Sequence, residues 1–229
     1  MQFTTSNFKF SIEHSPELEE LILQHAKVIR LPAKTVFCNI GDSLNGVYYI
    51  AKGRTSHYIV SPEGTEKMLY TLSCGWFFGE TSCTLGRTSS LISKTNTDTT
   101  LYFLSVDTFQ TLMGESALFR QALMTSNALK TLTMRHEIEN ITFYSCKDRL
   151  AKLFCTTADK SKLIDGCWYG LHVRYTHADL SVIIGSSRIT ITKMITELCE
   201  EGSIRLVNRK IQIHADYYDQ YMQLYAAAE

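Results

Sequence analysis

The chain has 229 residues, enough for one large or two modest domains at roughly 100 to 200 residues per domain. Apolar residues make up 45% of it and charged residues 20%, which excludes a disordered or collagen-like protein because such chains cannot bury a core. The 23 basic and 23 acidic residues balance to a formal net charge of +0, so attraction to a polyanion must come from a local cluster of cations.

No apolar run in the sequence approaches the roughly 18 residues of a membrane-spanning helix, and the first residues lack the basic and apolar segments of a secretion signal. We therefore expect a cytoplasmic protein without membrane contact. The seven cysteines are odd in number and never spaced as Cys-x-x-Cys. This pattern argues against a disulfide framework, a zinc site or an iron–sulfur cluster, and we expect no metal and no resident cofactor.

The front of the chain, residues 1–114, alternates glycines with short runs rich in Tyr, Val, Ile, Thr and Phe. This pattern is typical of turns between strands. A capped helix is predicted at Ser15-Pro16-Glu17, and a hairpin at Ser61-Pro62-Glu63-Gly64, where proline and glycine suit the second and fourth turn positions. The predicted strands are 36–38, 47–51, 55–60, 67–72, 76–78, 91–95 and 101–104. Many short, evenly spaced strands predict an antiparallel β-barrel or jelly roll, and thus an α+β fold overall.

Residues 115–144 predict one long helix, because neither Gly nor Pro occurs between Glu115 and Asp165. Several residues fall on one stripe at helical spacing. They are Leu118, Ala122, Leu129 and Leu132, continued by His136 and Glu139. About thirty residues would span about 45 Å, more than one small barrel covers. We therefore expect the stripe to meet the same stripe of a second copy in a parallel homodimer.

The last segment, residues 145–229, predicts a winged helix-turn-helix. Ser145 with Asp148, and Thr176 with Asp179, are helix start signals. A short helix carrying Leu180, Ile183 and Ile184 ends at Gly185, and a second follows with Ile191, Met194, Ile195 and Leu198 on its core face. Ile204 and Leu206 then alternate toward a turn at 207–210, and Ile211 and Ile213 leave it, which predicts a small hairpin.

The polar face of the second helix has the side chains that duplex DNA requires. Arg and Lys donate to guanine acceptors or phosphates, hydroxyls and helix N-terminal amides hold phosphates, and a branched apolar group contacts a thymine methyl. Arg209 and Lys210 on the hairpin turn are expected to contact phosphates alone. The predicted DNA-binding residues are Ser186, Ser187, Arg188, Ile189, Thr192, Lys193, Thr196, Arg209 and Lys210.

Three segments carry a resemblance to a known family: GVYYIAKG at 46–53, GWFFGE at 75–80 and IGSSRITITK at 184–193. With the order of barrel, long helix and winged helix-turn-helix, the whole chain resembles the Crp/Fnr family of bacterial transcription regulators. The resemblance implies a cyclic-nucleotide-binding-like barrel that senses an effector and a long helix that dimerises. It also implies that Arg188, Ile189 and Lys193 read bases. Family members commonly have an acidic residue in place of Ile189, so we expect a different half-site.

The effector segment departs from the cyclic-nucleotide pattern of the family. That pattern follows Gly-Glu with an Arg and a small residue entering the next strand, whereas this chain has Ser89-Ser90 there and Arg87 two residues early. We therefore expect an effector other than cyclic AMP, of unknown identity and anionic or aromatic. The predicted effector contacts are Phe77, Phe78, Glu80, Arg87, Thr88, Ser89 and His136. The alternative is a cyclic-nucleotide-responsive regulator that uses Glu80 and Arg87 on a rearranged loop.

Two other classes of function remain as alternatives. A cupin-type metal enzyme would need several His and carboxylate ligands inside the barrel, but the front half offers only His14, His25 and His57, never paired. We therefore do not expect an enzyme. A module that regulates a partner protein without touching DNA would make Arg188 and Lys193 dispensable. The preferred hypothesis, a DNA-binding transcription regulator, implies three kinds of partner. They are a palindromic operator in double-stranded DNA, a second copy of the chain and, for an activator, RNA polymerase.

Overall fold

The computed structural model describes residues 12–226, which divide into two compact units. The first is Phe8–Arg135 and the second contains His136–Glu229. The boundary lies inside the long helix, so that helix contributes residues to both units. Within the described part of the chain, no helix combines the length and hydrophobicity needed to cross a membrane.

The first unit is a jelly roll of two four-stranded antiparallel sheets, which confirms the predicted fold. One sheet has the order β1-β8-β3-β6 and the other the order β2-β7-β4-β5. The strands are β1 (Lys27–Leu31), β2 (Val36–Cys38), β3 (Gly46–Lys52), β4 (Arg54–Val60), β5 (Glu66–Ser73), β6 (Phe77–Phe78), β7 (Ile92–Thr95) and β8 (Thr99–Ser105). All predicted strands are present within two residues at each end, whereas β1 was not predicted. The hairpin turn closes through a 2.9 Å bond from Gly64 N to Ser61 O.

Three helices and the first part of a fourth accompany the sheets of the first unit: α1 (Pro16–Leu23), α2 (Glu80–Leu85), α3 (Val106–Glu115) and α4 (Ala117–Phe143), whose residues from His136 onward belong to the second unit. Ser15 caps α1 through its side chain, as predicted. Strand side chains alternate between two cores because successive residues point to opposite faces. In β3, Tyr49 packs in a cluster with Phe119 of α4, whereas its neighbour Ile50 packs with Leu72 of the other sheet.

The long helix α4 starts later than predicted, and the residues that it buries within this protomer are not those of the stripe predicted to meet a second copy. Sequence patterning begins it at residue 115, but Glu115 ends α3 and Ser116 accepts a hydrogen bond from Phe119 N at 3.2 Å, so a turn separates two helices. The residues buried within this protomer lie at spacings of three and four. They are Phe119, Leu123, Ser126, Lys130, Thr133, Glu137 and Asn140. The predicted stripe lies beside this one, with Leu118 exposed and Ala122, Leu129 and Leu132 half-buried.

The second unit is a winged helix-turn-helix, as predicted. Its helices are α5 (Cys146–Thr156), α6 (His177–Ile184), α7 (Arg188–Glu200) and α8 (Ala215–Ala226). Its sheet has the order β11-β12-β10-β9, from β9 (Ala158–Ile164), β10 (Trp168–Leu171), β11 (Ile204–Val207) and β12 (Lys210–His214). Both predicted start signals form complete capping boxes, Ser145 with Asp148 and Thr176 with Asp179. Elements β9, β10 and α8 were not predicted.

Candidate DNA interface and effector site

The second helix of the helix-turn-helix, α7, has a buried face that fixes its orientation. Ile191, Ile195 and Leu198 are each at most 2% exposed, and they repeat every three or four residues because one turn holds about 3.6. Ser187 caps the helix by accepting a 3.1 Å hydrogen bond from the backbone N–H three residues later. Met194, which was expected on the core face, is half-buried. The opposite face is therefore held outward by the packing of this core.

The outward face of α7 combines cations with an exposed apolar side chain. Arg188, Lys193, Thr192 and Thr196 are all exposed, and Ile189 is 83% exposed. Among the described residues, no acidic group lies within ion-pair distance of Arg188, whereas Lys193 Nζ lies 3.9 Å from its helix neighbour Glu197. Guanidinium and ammonium groups are donors to guanine, and a branched apolar group matches a thymine methyl. The face thus carries the donors and the apolar contact needed to read base edges.

Hydroxyl groups on α7 are anchored by local hydrogen bonds. Thr192 Oγ1 donates to Arg188 O at 2.9 Å, and Thr196 Oγ1 donates to Thr192 O at 3.1 Å. Thr192 Oγ1 also lies 2.9 Å from His177 Nδ1, at the start of α6. This contact joins the two helices of the motif at their outer surface. Sequence patterning missed His177, because only the fold brings it beside α7.

The wing supplies two more cations on a tight turn. Strands β11 and β12 pair in register from Ile204 to Val207, and the turn residues Asn208 and Arg209 have φ of 49° and 60°. Two left-handed residues match the twist of a two-residue hairpin loop. Arg209 and Lys210 are exposed at this turn. Ser186, which precedes the cap residue Ser187, is half-buried. The two serines therefore lie at the start of α7, whereas Arg209 and Lys210 lie on the wing.

A buried ion pair lies in the first unit. Lys130 Nζ of α4 donates to Glu80 Oε1 at 2.7 Å, and the side chains are 7% and 6% exposed. Burial lowers the pKa of Lys130, and the Glu80 carboxylate opposes that effect. The second carboxylate oxygen, Oε2, is buried and makes no hydrogen bond to the described residues. Such an oxygen can accept a hydrogen bond at little extra desolvation cost.

His57 lies at the centre of the jelly roll among hydroxyl and aromatic groups. Its Nε2 is 3.0 Å from Thr55 Oγ1 and its Nδ1 is 2.9 Å from Ser93 Oγ. The ring of Phe78 is 5.4 Å and that of Tyr70 5.2 Å from the imidazole, measured between ring centroids. Burial, and secondarily the charge of Lys130, lowers the pKa of His57 to about 3. The imidazole is therefore neutral at physiological pH.

The predicted effector residues occupy several different environments. Phe78 lies in the barrel beside His57 and Glu80 pairs with Lys130, but Phe77 points the other way and packs edge-on against Phe119. Arg87 and Thr88 are exposed on the loop after α2. Ser89 is buried, and its hydroxyl donates to Leu91 O at 3.0 Å. His136 belongs to the second unit, where its Nδ1 lies 3.1 Å from Glu139.

We call five neighbouring side chains the barrel cluster: His57, Tyr70, Phe78, Glu80 and Lys130. Sequence patterning missed His57, Tyr70 and Lys130 as members of it. Burial and the nearby Glu80 carboxylate raise the pKa of Tyr70, so its phenol stays protonated and can donate. Across residues 12–226, no group of three His, Cys, Asp or Glu side chains is placed to hold a metal ion. All seven cysteines are free thiols.

Two family models match the chain, and the first of them extends into the long helix α4. A cyclic nucleotide-binding domain matches residues 28–127, and a Crp-like helix-turn-helix domain matches residues 148–215. The cAMP-activated global transcriptional regulator CRP of Haemophilus influenzae is 22% identical over 214 residues, 93% of this chain and 95% of that protein. The chain belongs to the Crp/Fnr family of transcription regulators.

Other proteins similar to this Crp/Fnr regulator differ in the effectors that their names record. Vfr of Pseudomonas aeruginosa, named as cAMP-activated, is 22% identical over 89% of this chain and 97% of its own length. The solved structure of CLP from Xanthomonas campestris, described as c-di-GMP responsive, superposes with a TM-score of 0.77 and 19% identity. That match covers 87% of this chain and 99% of CLP. The fold is thus shared across regulators with different effectors.

Proposed function

We propose that this Crp/Fnr regulator binds a palindromic operator as a homodimer in the cytoplasm, with an affinity set by a small effector other than cyclic AMP. The observation that carries the DNA contact is the outward face of α7. Arg188, Ile189 and Lys193 share that face, and Ser186, Ser187, Thr192 and Thr196 flank them. Wing residues Arg209 and Lys210 add phosphate contacts. For an activator, RNA polymerase is a further partner.

Two exposed apolar residues on α4 support a second copy of the chain as partner. Ile138 is 65% and Ile141 52% exposed, three residues apart on one side of the helix. Such side chains gain about 25 cal/mol for each Å² of apolar area that a partner removes from water. Two recognition helices must lie about 34 Å apart to read both half-sites of a palindrome. Ile138→Glu with Ile141→Glu should give a monomer in sedimentation, while Gln121→Glu near the helix start should stay dimeric.

The barrel cluster supports an effector other than cyclic AMP. Arg87, the cation expected to hold a cyclic phosphate, is exposed on its loop, and the Glu80 carboxylate already accepts from Lys130. An effector that reaches Glu80 therefore meets Phe78, the Tyr70 hydroxyl and the Glu80–Lys130 pair. We propose that Phe78 and Glu80 contact the effector, with Arg87, Thr88 and Ser89 on the adjoining loop. Such an effector changes the affinity for DNA only if it binds the DNA-binding conformation of the regulator and the inactive conformation with different affinities.

The DNA-binding proposal is tested by selecting bound duplexes from a random pool with the full chain. A palindromic consensus is expected, and it should be lost in Arg188→Ala with Lys193→Ala. The matched control is Lys160→Ala with Lys162→Ala, which removes two exposed cations from β9 and should keep the consensus. Unchanged retention of DNA by the α7 variant would contradict the proposal and favour a regulator that acts on a partner protein.

The effector proposal is tested by measuring operator affinity with and without cyclic AMP. No change in affinity is expected for this chain. A large gain that disappears in Glu80→Gln and in Arg87→Gln would overturn the proposal and favour the rearranged cyclic-nucleotide site. His136, the remaining predicted contact, is tested in the same assay with His136→Gln once an effector has been found.

A further inference from the structure

The edge strand of the wing, β11, has little apolar burial near the turn. In the sheet order β11-β12-β10-β9, this strand has a neighbour on one side, β12. Ile204 at its start is 1% exposed, but Leu206 and Val207 are 50% and 38% exposed. Apolar packing therefore fixes the base of the wing, and it holds the two residues before the turn weakly.

A polar cluster on the other face of the sheet joins β11 to strands beyond its neighbour. Arg205 of β11 lies directly opposite Gln212 of β12, and its Nε donates to Gln212 Oε1 at 2.7 Å. The guanidinium also reaches β10, where it lies 4.6 Å from the centroid of the Trp168 ring. It donates as well to a carboxylate oxygen of Asp165, in the turn between β9 and β10. We call these four residues the wing clamp: Asp165, Trp168, Arg205 and Gln212.

The cation of the wing clamp is engaged toward the base of the wing. Trp168 is paired in register with His214, the last residue of β12 and the one farthest from the turn. The two rings are perpendicular, with centroids 4.9 Å apart. A guanidinium is planar, so it can stack on a ring while it donates in a fixed fork. The Arg205 side chain is 30% exposed and Gln212 is 8% exposed, so the clamp lies against the sheet.

We propose that the wing clamp holds the turn where Arg209 and Lys210 can contact DNA. This inference rests on the proposed DNA-binding function, and it assigns Arg205 and Trp168 as positioning residues that do not touch the duplex. The Arg205–Gln212 pair is two residue pairs from the pair that closes the hairpin at Lys210, or about 7 Å at about 3.3 Å per residue. A wing anchored this close to its turn has less freedom to lose on binding, which favours the complex.

The experiment measures how the affinity of the full chain for a duplex with the selected consensus depends on salt. Trp168→Leu removes the ring and leaves the charge of the protein unchanged. The slope of log affinity against log salt should nevertheless become shallower by about 0.9 per protomer, the equivalent of one lost phosphate contact. A simple loss of folded protein would lower the affinity by the same factor at every salt concentration. Trp168→Phe keeps a ring and should recover most of the slope, and the matched control Tyr217→Leu, at a half-buried ring of α8, should keep it.

A double-mutant cycle tests whether the clamp acts through the wing cations. The change Arg209→Gln with Lys210→Gln should cost about fivefold less affinity in Trp168→Leu than in the wild-type chain, because the unclamped wing already contacts DNA poorly. Independent sites would give additive losses, to within about twofold. Asp165→Asn is a second clamp variant, and it keeps the test available if Trp168→Leu does not fold. Asparagine accepts the left-handed φ of 50° at this position, and the variant should show the same coupling.

Three results would contradict the proposals, and they differ from one another. An unchanged salt slope with additive losses in Trp168→Leu and in Asp165→Asn would overturn this inference and leave the proposed function standing. A shallower slope in Arg205→Gln but not in Trp168→Leu would also overturn it, because Arg205 would then contact a phosphate itself. Failure of the wild-type chain to select any duplex would defeat the proposed function and this inference with it.

Discussion

Lys130 and Arg188 carry the same charge in opposite settings, one in each unit of the molecule. The Lys130 side chain is 7% exposed and pairs with Glu80 at 2.7 Å. Arg188 is exposed at the start of α7, without an acidic partner among the described residues. A buried ion has lost its hydration and needs a paired charge, whereas an exposed one stays hydrated until a ligand replaces the water. Removing Lys130 should therefore reduce stability, and removing Arg188 should reduce binding.

The same contrast holds for apolar groups within a single helix. Ile191 is fully buried, whereas Ile189, two residues earlier, is 83% exposed. The two positions are about 200° apart around a helix with 3.6 residues per turn. Burial of Ile191 stabilises the fold, but exposure of Ile189 gains nothing for the isolated chain. Under the proposed function, this exposed group contacts a base of the operator.

The largest expected effect concerns the buried cation, Lys130. Lys130→Met leaves the Glu80 carboxylate buried without its partner, which should reduce the free energy of unfolding by about 3–5 kcal/mol. Equilibrium urea unfolding measures this change. Adding Glu80→Gln in the same chain should recover most of the loss, because the unpaired charge is gone. A loss below about 1 kcal/mol, the range of exposed ion pairs, would show that the pair contributes little.

The next effect uses pH to test whether the barrel interior excludes charge. The pKa of His57 is lowered to about 3 in the folded chain, against about 6.5 in an unfolded one. Below pH 6.5 the unfolded state therefore binds more protons, so stability falls as pH decreases toward 3. The loss should be about 1.4 kcal/mol per pH unit, or about 2 kcal/mol at pH 5.

Urea unfolding between pH 7 and pH 5 measures the slope that His57 contributes. His57→Gln should flatten it, because the variant has no proton to gain at that position. The matched control is His25→Gln, an exposed histidine after α1, which should keep the wild-type slope. A slope that is equally steep in His57→Gln would assign the pH dependence to other groups.

The winged helix-turn-helix, whose outward face we propose to bind DNA, could be predicted from sequence because its signals are local. Helix start signals at Ser145 and Thr176, the periodic isoleucines of α7 and the hairpin at 207–210 each act within a few residues. A face that lies opposite a local core is therefore fixed by spacing alone. His177 was missed because its contact with Thr192 depends on how α6 packs against α7.

The barrel cluster could be predicted only in part, because long-range packing selects its members. Phe77 and Phe78 are adjacent, and only the register of β6 on β3 decides that Phe78 points into the barrel. Lys130 falls on the same stripe of α4 as Phe119, but a lysine on such a stripe normally reaches solvent. Strand β9 was missed because its sequence, ADKSKLI, is mostly polar and exposed.

The smallest expected effect concerns the exposed apolar residue, Ile189. Ile189→Glu removes a contact with a thymine methyl and adds an acceptor for the cytosine amino group. Affinity for a duplex selected by the wild-type chain should fall by about tenfold, about 1.4 kcal/mol and within the usual cost of one mismatched base pair. Selection from a random pool should then replace thymine by cytosine at one position of each half-site. Leu163→Glu, at an exposed residue of β9, should leave the consensus unchanged. An unaltered consensus in Ile189→Glu would refute the thymine contact, because a base reader cannot change its chemistry without changing its preferred base.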